Sequence, residues 1–193
     1  MTKKERTRKK IIDISRILFT KYGYNRVTMK DVCEATGLSR GGLYSHFDSV
    51  RSIFEALMEE LNKNTVLDFS TEIEEGKSAV QILENALSLL EEEMNHPEDS
   101  LSLAMVEYAK SEDSNIMEDL NRKGKKKWTM LLQYGMERKE FREVEIEEIV
   151  NMILYVYQGV RLWSCIVPIS NQTIESIINN IRRQVMKGDS YDF

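Results

Sequence analysis

VTMKDVCEATGLSRGGLYSHFDSVRSIF, residues 27–54, is the stretch whose reading decides the fold. Thr28 stands immediately before a short run that carries Met29, Val32 and Cys33 at helical spacing, so it reads as an N-cap. Gly37 falls where that helix must stop, because glycine takes the left-handed position after a helix at little cost. Leu38 can pack back on the pair, and Ser39 then caps a second helix over 40–47 that opens with Arg40, Gly41 and Gly42. Two helices joined by a short glycine-containing turn make a helix-turn-helix, whose second helix enters the DNA major groove. The outward positions of that helix suit such a role, being small or basic at its start, then aromatic, hydroxyl and imidazole. A helix–glycine–helix turn also occurs in helical proteins that never meet DNA, so other features must decide.

Charge distribution is the first of these. The 193-residue chain carries a net charge of −5, which taken whole argues against nucleic acid. Residues 1–51, however, hold 12 Lys and Arg against 5 Asp and Glu, while the remainder holds 15 against 27. A basic N-terminal region joined to an acidic one is the electrostatic footprint of a DNA reader whose second domain has another role.

The order of motifs is the second. Phe19 to Tyr24 (FTKYGY) closes a first helix, Thr28 opens the next, GLSRG (37–41) precedes LYSHF (43–47), and an aliphatic–aromatic helix start follows. Over residues 8–57 this order resembles the N-terminal domain of the tetracycline-repressor (TetR/AcrR) family of bacterial transcription regulators. The resemblance implies an all-α protein of about nine helices. Residues 1–50 would form a three-helix helix-turn-helix DNA-binding domain and residues 51–193 a helical ligand-binding and dimerisation domain. It also implies roles. Thr28 would contact a phosphate, Arg40 would reach base edges, and Gly41 and Gly42 would let the backbone approach. Tyr44 and His46 would hold phosphates, with Lys30, Ser39, Ser45 and Arg51 completing the DNA-facing set, while Leu43 and Phe47 pack inward. Two departures stand out: Gly42 where many members have Thr, Ala or Ser, and Val50 where many have a phosphate-binding Lys. Arg51 follows directly, so that contact is either lost or moved by one residue.

With two prolines, nine glycines and no alternating apolar–polar segment, the rest also reads as helix. A first helix over 3–22 has Ile11, Ile14, Leu18 and Tyr22 as its stripe, and Gly23 ends it. Ser49 caps a helix with Ile53, Phe54, Leu57 and Leu61 on one face, extending to about residue 69 as a strut between the domains. The polar stretch 70–77 breaks it. Further helices are expected over 78–94 (Leu83, Leu87, Leu90 and Met94 inward), 99–110, and 115–139, where Gly124 is a weak point or a close-packing site. The helix over 146–166 is apolar nearly all round, which implies burial on more than one side. The last, over 173–186, has a stripe of Ile174, Ile177, Ile178, Ile181 and Val185. Together these two suit a symmetric four-helix seam between two copies, with Ile153, Tyr157, Val160, Ile174, Ile177, Ile178 and Ile181 in it. The competing reading makes 146–166 the central helix of a monomer.

Other chemistry finds little footing. Cys33 and Cys165 lie too far apart for metal-ligand or redox spacing and read as packing residues; the two histidines have no ligand cluster. The run 122–127 (RKGKKK) reads as a solvated face rather than a second nucleic-acid patch, and Glu91 to Glu93 as helix surface. No nucleophile–base constellation or phosphate loop is legible, so no cofactor or metal and no enzymatic activity is expected. Neither an apolar run of membrane length nor a signal peptide appears, and the cytoplasm follows as the default location. Met105, Tyr108, Trp128, Met130, Tyr134, Tyr155 and Trp163 are candidates to line a cavity for an apolar or aromatic effector, although such stripes are more often core. The expected protein is a homodimeric repressor that binds palindromic double-stranded DNA and is released by a small molecule. The alternative is a helical enzyme or scaffold in which the helix-turn-helix is only structural.

Overall fold

The computed structural model describes residues 1–63, 69–113 and 115–187, except the side chains of residues 62 and 63. These form ten α-helices and one turn of 3-10 helix, one α-helix more than expected. The described chain divides into two compact units, Met1–Val66 with Leu101–Ser114, and Leu67–Ser100 with Asn115–Phe193. This differs from a boundary at residue 50, and the reason is packing.

The first unit comprises α1 (Lys3–Tyr22), α2 (Met29–Thr36), α3 (Arg40–Tyr44), α4 (Val50–Lys63) and α7 (Ser102–Ser111). Its α4 lies along α1, with Ile53 and Phe54 fully buried. Phe54 meets Phe19 of α1 edge-on at 5.0 Å and stacks on Tyr108 of α7 at 4.9 Å, so both helices share one aromatic cluster. Continuation of α4 to residue 69 lies outside the described residues. In α1 Ile11 is buried as expected, together with Ile12, Ser15 and Phe19; Ile14 and Leu18 of the expected stripe are half-buried and Tyr22 is exposed, because the core side of the helix is turned by about one residue. Ser49 caps α4 as expected: the Ser52 amide donates to Ser49 Oγ at 3.1 Å and the Ser49 amide to Ser52 Oγ at 3.2 Å.

The second unit holds α5 (Ser70–Glu74), α6 (Ala79–Asn95), the 3-10 turn Pro97–Asp99, α8 (Asn115–Glu137), α9 (Ile146–Trp163) and α10 (Asn171–Val185). The short α5 occupies the stretch read as a break; it lacks a side-chain cap, the signal by which sequence marks a helix. Leu83, Leu87, Leu90 and Met94 point inward from α6 as expected. Gly124 is a close-packing site: a Cβ there would lie 3.0 Å from Leu154 Cδ2. Phe141 covers Gly135 and bridges to Met186, tying the turn after α8 to the end of α10.

Four residues assigned to a seam between copies, Ile153, Ile174, Ile178 and Ile181, are 1–2% exposed within this chain's own core. They are spent on folding and are unavailable to a partner. Val160 is buried too, and Tyr157 and Ile177 half-buried. The excess of apolar residues on α9 instead emerges on its other side, where Tyr155 is 57% and Trp163 58% exposed, and in the turn beyond it, where Ile166 is 70% exposed. Cys165 is exposed as well, not packed. No described helix is long and apolar enough to cross a membrane.

Candidate nucleic-acid interface

The helix-turn-helix is built by three local devices. Thr28 caps α2 reciprocally with Asp31: the Asp31 amide donates to Thr28 Oγ1 at 3.3 Å, and the Thr28 amide and hydroxyl donate to Asp31 Oδ2 at 2.8 and 2.6 Å. Those bonds, the hydroxyl first, hold the Asp31 carboxyl below its usual range. Gly37 then takes the left-handed conformation at φ 71° with its amide on the Cys33 carbonyl, turning the chain out of α2. Ser39 caps α3 by accepting the Gly42 amide at 3.1 Å.

Regular helix in α3 covers Arg40–Tyr44, shorter than the expected 40–47, although the Phe47 amide still reaches the Leu43 carbonyl at 3.1 Å. Leu43 and Phe47 are buried, which aims the rest of the helix at solvent. Arg40, Ser45 and Lys30 are exposed, and Tyr44 is 48% exposed. Nothing lies within 4 Å of a Cβ placed on Gly41, so an incoming surface can approach the backbone there; at Gly42 the neighbour is Ser39 Oγ, 3.2 Å away. His46 is half-buried with Nδ1 buried and unpaired, which leaves Nε2 as its candidate phosphate donor. The Thr28 hydroxyl hydrogen is committed to Asp31, so its expected phosphate contact requires that bond to give way. Arg51 is likewise engaged: Nε donates to Glu55 at 2.8 Å and a terminal nitrogen to Glu112 at 3.2 Å, which raises its pKa further.

Several supports carried no sequence signal. The Arg8 guanidinium sits 4.0 Å from the Phe47 ring centroid and donates to the His46 carbonyl at 3.2 Å, holding the end of α3. Lys10 donates to the Thr36 carbonyl at 3.1 Å, a cation at the negative end of α2. Glu107 accepts the Asn25 amide at 3.0 Å, and Tyr24 donates to Glu112 at 3.0 Å.

The residues considered for an effector cavity are dispersed. Tyr108, with Met105 on the same helix, belongs to the first unit; there it is 2% exposed and donates to Glu55 at 2.8 Å. Burial, then that bond, pushes its phenol up to about 12. In the second unit Trp128 is buried edge-on against Phe69, Met130 packs at the edge of the core, and Tyr134 donates to the Lys77 carbonyl. Tyr155 and Trp163 face outward. A separate half-open cleft of about 360 Å³ lies between α8 and α9, lined by Lys125, Thr129, Gln133, Ile146, Glu147, Val150 and Asn151. The basic run 122–127 is to some extent solvated helix face, with Arg122 on Asp119. Glu93 is drawn in by the Tyr157 hydroxyl. No described group of side chains has metal-ligand geometry.

Residues 11–57 match the family model for bacterial regulatory proteins of the tetR family. The chain is 27% identical over 168 residues to an uncharacterized HTH-type transcriptional regulator, YfiR, of Bacillus subtilis, covering 81% of this chain and 79% of that one. It is 22% identical to the HTH-type transcriptional repressor KstR2 of Rhodococcus jostii over 72% of this chain and 71% of the relative. Among solved structures, a TetR transcriptional regulator from Chloroflexus aurantiacus superposes with a TM-score of 0.79 at 21% identity, across 96% of this chain and 99% of its own.

Proposed function

The chain belongs to the TetR family of bacterial transcription regulators, proteins that bind DNA and are not enzymes, and from that membership we propose that it is a homodimeric repressor released by a small molecule. Thr28, Lys30, Ser39, Tyr44, Ser45 and His46 are the backbone-positioning set, and Arg40 beside Gly41 and Gly42 is the reader of base edges. Phosphate contacts fix register and affinity, whereas base-edge contacts carry sequence information. Alanine at Arg40 therefore acts on preference, while phenylalanine at Tyr44 acts on all sequences alike.

The dimer rests on a single observation: the exposed row Tyr155, Trp163 and Ile166. One short helix covers only a few base pairs, and a two-fold pair of them reads a palindrome. Gly159 lies in that row and nothing fills the space above it, so two copies of α9 can come close there. The seam proposed here is thus the outer face of α9; the exposed side of α10 is polar, with Gln172, Glu175, Ser176 and Arg183.

Repression is proposed because a relative over most of the chain is named a repressor. Release by a ligand requires that it bind the DNA-incompetent state better, with a coupling of about 1–3 kcal/mol. The chain offers a route: α7, a helix of the first unit, follows α6 and its 3-10 turn and precedes α8, all of the second. The mixed lining of the α8–α9 cleft favours an effector with polar groups over the apolar or aromatic one expected from the sequence. A mobility shift with DNA upstream of the chain's own gene, repeated with candidate effectors, tests the proposal. A retarded band that effectors abolish is the expected result; a band insensitive to every compound would remove the ligand-release step.

A further inference from the structure

Arg51 is the second residue of α4, where the DNA-binding reading places a phosphate contact, yet its guanidinium already holds two carboxylates. Glu55 Oε1 accepts from Nε at 2.8 Å and Glu112 Oε2 accepts from a terminal nitrogen at 3.2 Å. Glu55 is one turn along the same helix and moves with Arg51. Glu112 comes from the C-terminal end of α7. The rest of α7 is fastened around it. Tyr108 donates to Glu55 at 2.8 Å and lies in the aromatic cluster with Phe54 and Tyr24. Glu112 Oε1 accepts the Tyr24 hydroxyl at 3.0 Å. Glu107 accepts the Asn25 amide at 3.0 Å, and a Cβ on Gly23 would stand 2.5 Å from Glu107 Oε2, so a side chain there would push this carboxylate aside.

We propose that Glu112 competes with DNA for Arg51, so that the seating of α7 sets one phosphate contact per protomer. A carboxylate pair presents to a guanidinium the same geometry as phosphate oxygens. With Glu112 in place one terminal nitrogen of the fork is engaged; with Glu112 neutral or withdrawn, that nitrogen turns to the DNA backbone. The exchange is feasible because the side chains of Arg51 and Glu112 are 49% and 30% exposed, and ion pairs so open to water contribute little net stability. Because α7 is joined by chain to the second unit at both of its ends, a change there has a path along this helix to Arg51. The inference rests on the DNA-binding reading of α2 to α4 and deepens it.

Glu112→Gln tests it, since the amide keeps the shape and an oxygen for the Tyr24 hydroxyl but loses the charge. Binding to a mixed-sequence duplex long enough for two half-sites is followed by fluorescence anisotropy over a range of salt concentrations. Each added phosphate contact steepens the slope of log K against log salt by about 0.9, so Glu112→Gln is expected to steepen it by about that amount per protomer. Arg51→Ala is expected to remove the whole gain in the Glu112→Gln protein and to change the wild-type slope less. A merely structural loss would move affinity without adding to the slope. Should Glu112→Gln fold poorly, Glu112→Ala with Tyr24→Phe, which leaves no hydroxyl without an acceptor, is expected to give the same steepening. Equal slopes in wild type and variant, both binding the duplex, overturn the proposal. So does an Arg51→Ala effect as large in wild type as in the variant. A wild type that binds no duplex overturns the DNA-binding reading instead.

Discussion

Arg40 is the first residue of α3, exposed to solvent and followed by two residues without side chains. If it grips a guanine edge with both arms, Arg40→Ala costs about 1–3 kcal/mol and relaxes preference at that base pair. Tyr44→Phe, by contrast, should weaken every sequence by a similar factor, which competition assays on two unrelated duplexes would check. Ser15 makes a prediction of another kind. It is fully buried and its hydroxyl has no partner, so Ser15→Ala removes an uncompensated polar group from α1 and is expected to stabilise the protein by about 1 kcal/mol. A denaturant midpoint unchanged or lowered would contradict that. The caps at Thr28, Ser39 and Ser49 and the turn at Gly37 were legible in the sequence because each is satisfied within three or four residues. Arg8, Glu107 and Glu112 were not, because their partners lie 38, 82 and 61 positions away and no local pattern announces such pairs.

At the scale of elements, α6 shows what sequence spacing misses. Its N-cap, Ser78, makes no side-chain cap bond. Instead Glu140, from the turn after α8, accepts the Ser78 hydroxyl at 2.6 Å and the Val80 amide at 3.2 Å, placing a carboxylate at the positive end of the helix. Burial opposes ionisation there, but the bonds from Ser78, Arg138 and Val80 outweigh it and hold the carboxyl at about 2, below the ordinary 4.5. A depressed carboxyl stabilises the fold fully above its unfolded value and less as pH falls towards the folded one. Glu140→Gln should therefore melt below wild type at neutral pH, with the gap closing between about pH 4.5 and pH 2. Parallel melting curves with a constant gap through that window would disprove the cap. The helical period of α6 gave its inner face correctly, whereas that of α10 gave the stripe but not its destination, which is the chain's own core rather than a second copy. Period alone did not orient α9, which is apolar on two sides; only its packing against Gly124 and α6 settles which side is core.

For the whole molecule, that orientation changes the test of assembly. A charge at Ile178 would land in the chain's own core and unfold it rather than separate a pair of copies. Trp163→Glu and Ile166→Glu act on the exposed face and are expected to give helical, folded monomers that have lost DNA binding. Sedimentation showing dimers in both variants would exclude this face as the seam. The asymmetry of charge along the chain pointed to the division of labour, but not to the membership of α7 in the first unit, because contacts with Tyr24, Arg51 and Phe54 leave no trace in local composition.

The claim on which the rest depends is that residues 28–51 form a sequence-reading DNA surface. Fluorescence anisotropy tests it most directly, comparing a duplex from upstream of the chain's own gene with a scrambled duplex, for wild type and Arg40→Ala at one fixed salt concentration. The wild type is expected to prefer the upstream duplex by about a thousandfold or more, and Arg40→Ala to narrow that preference by at least about tenfold. Equal affinity of the wild type for both duplexes, or a preference that Arg40→Ala leaves intact, would contradict the account.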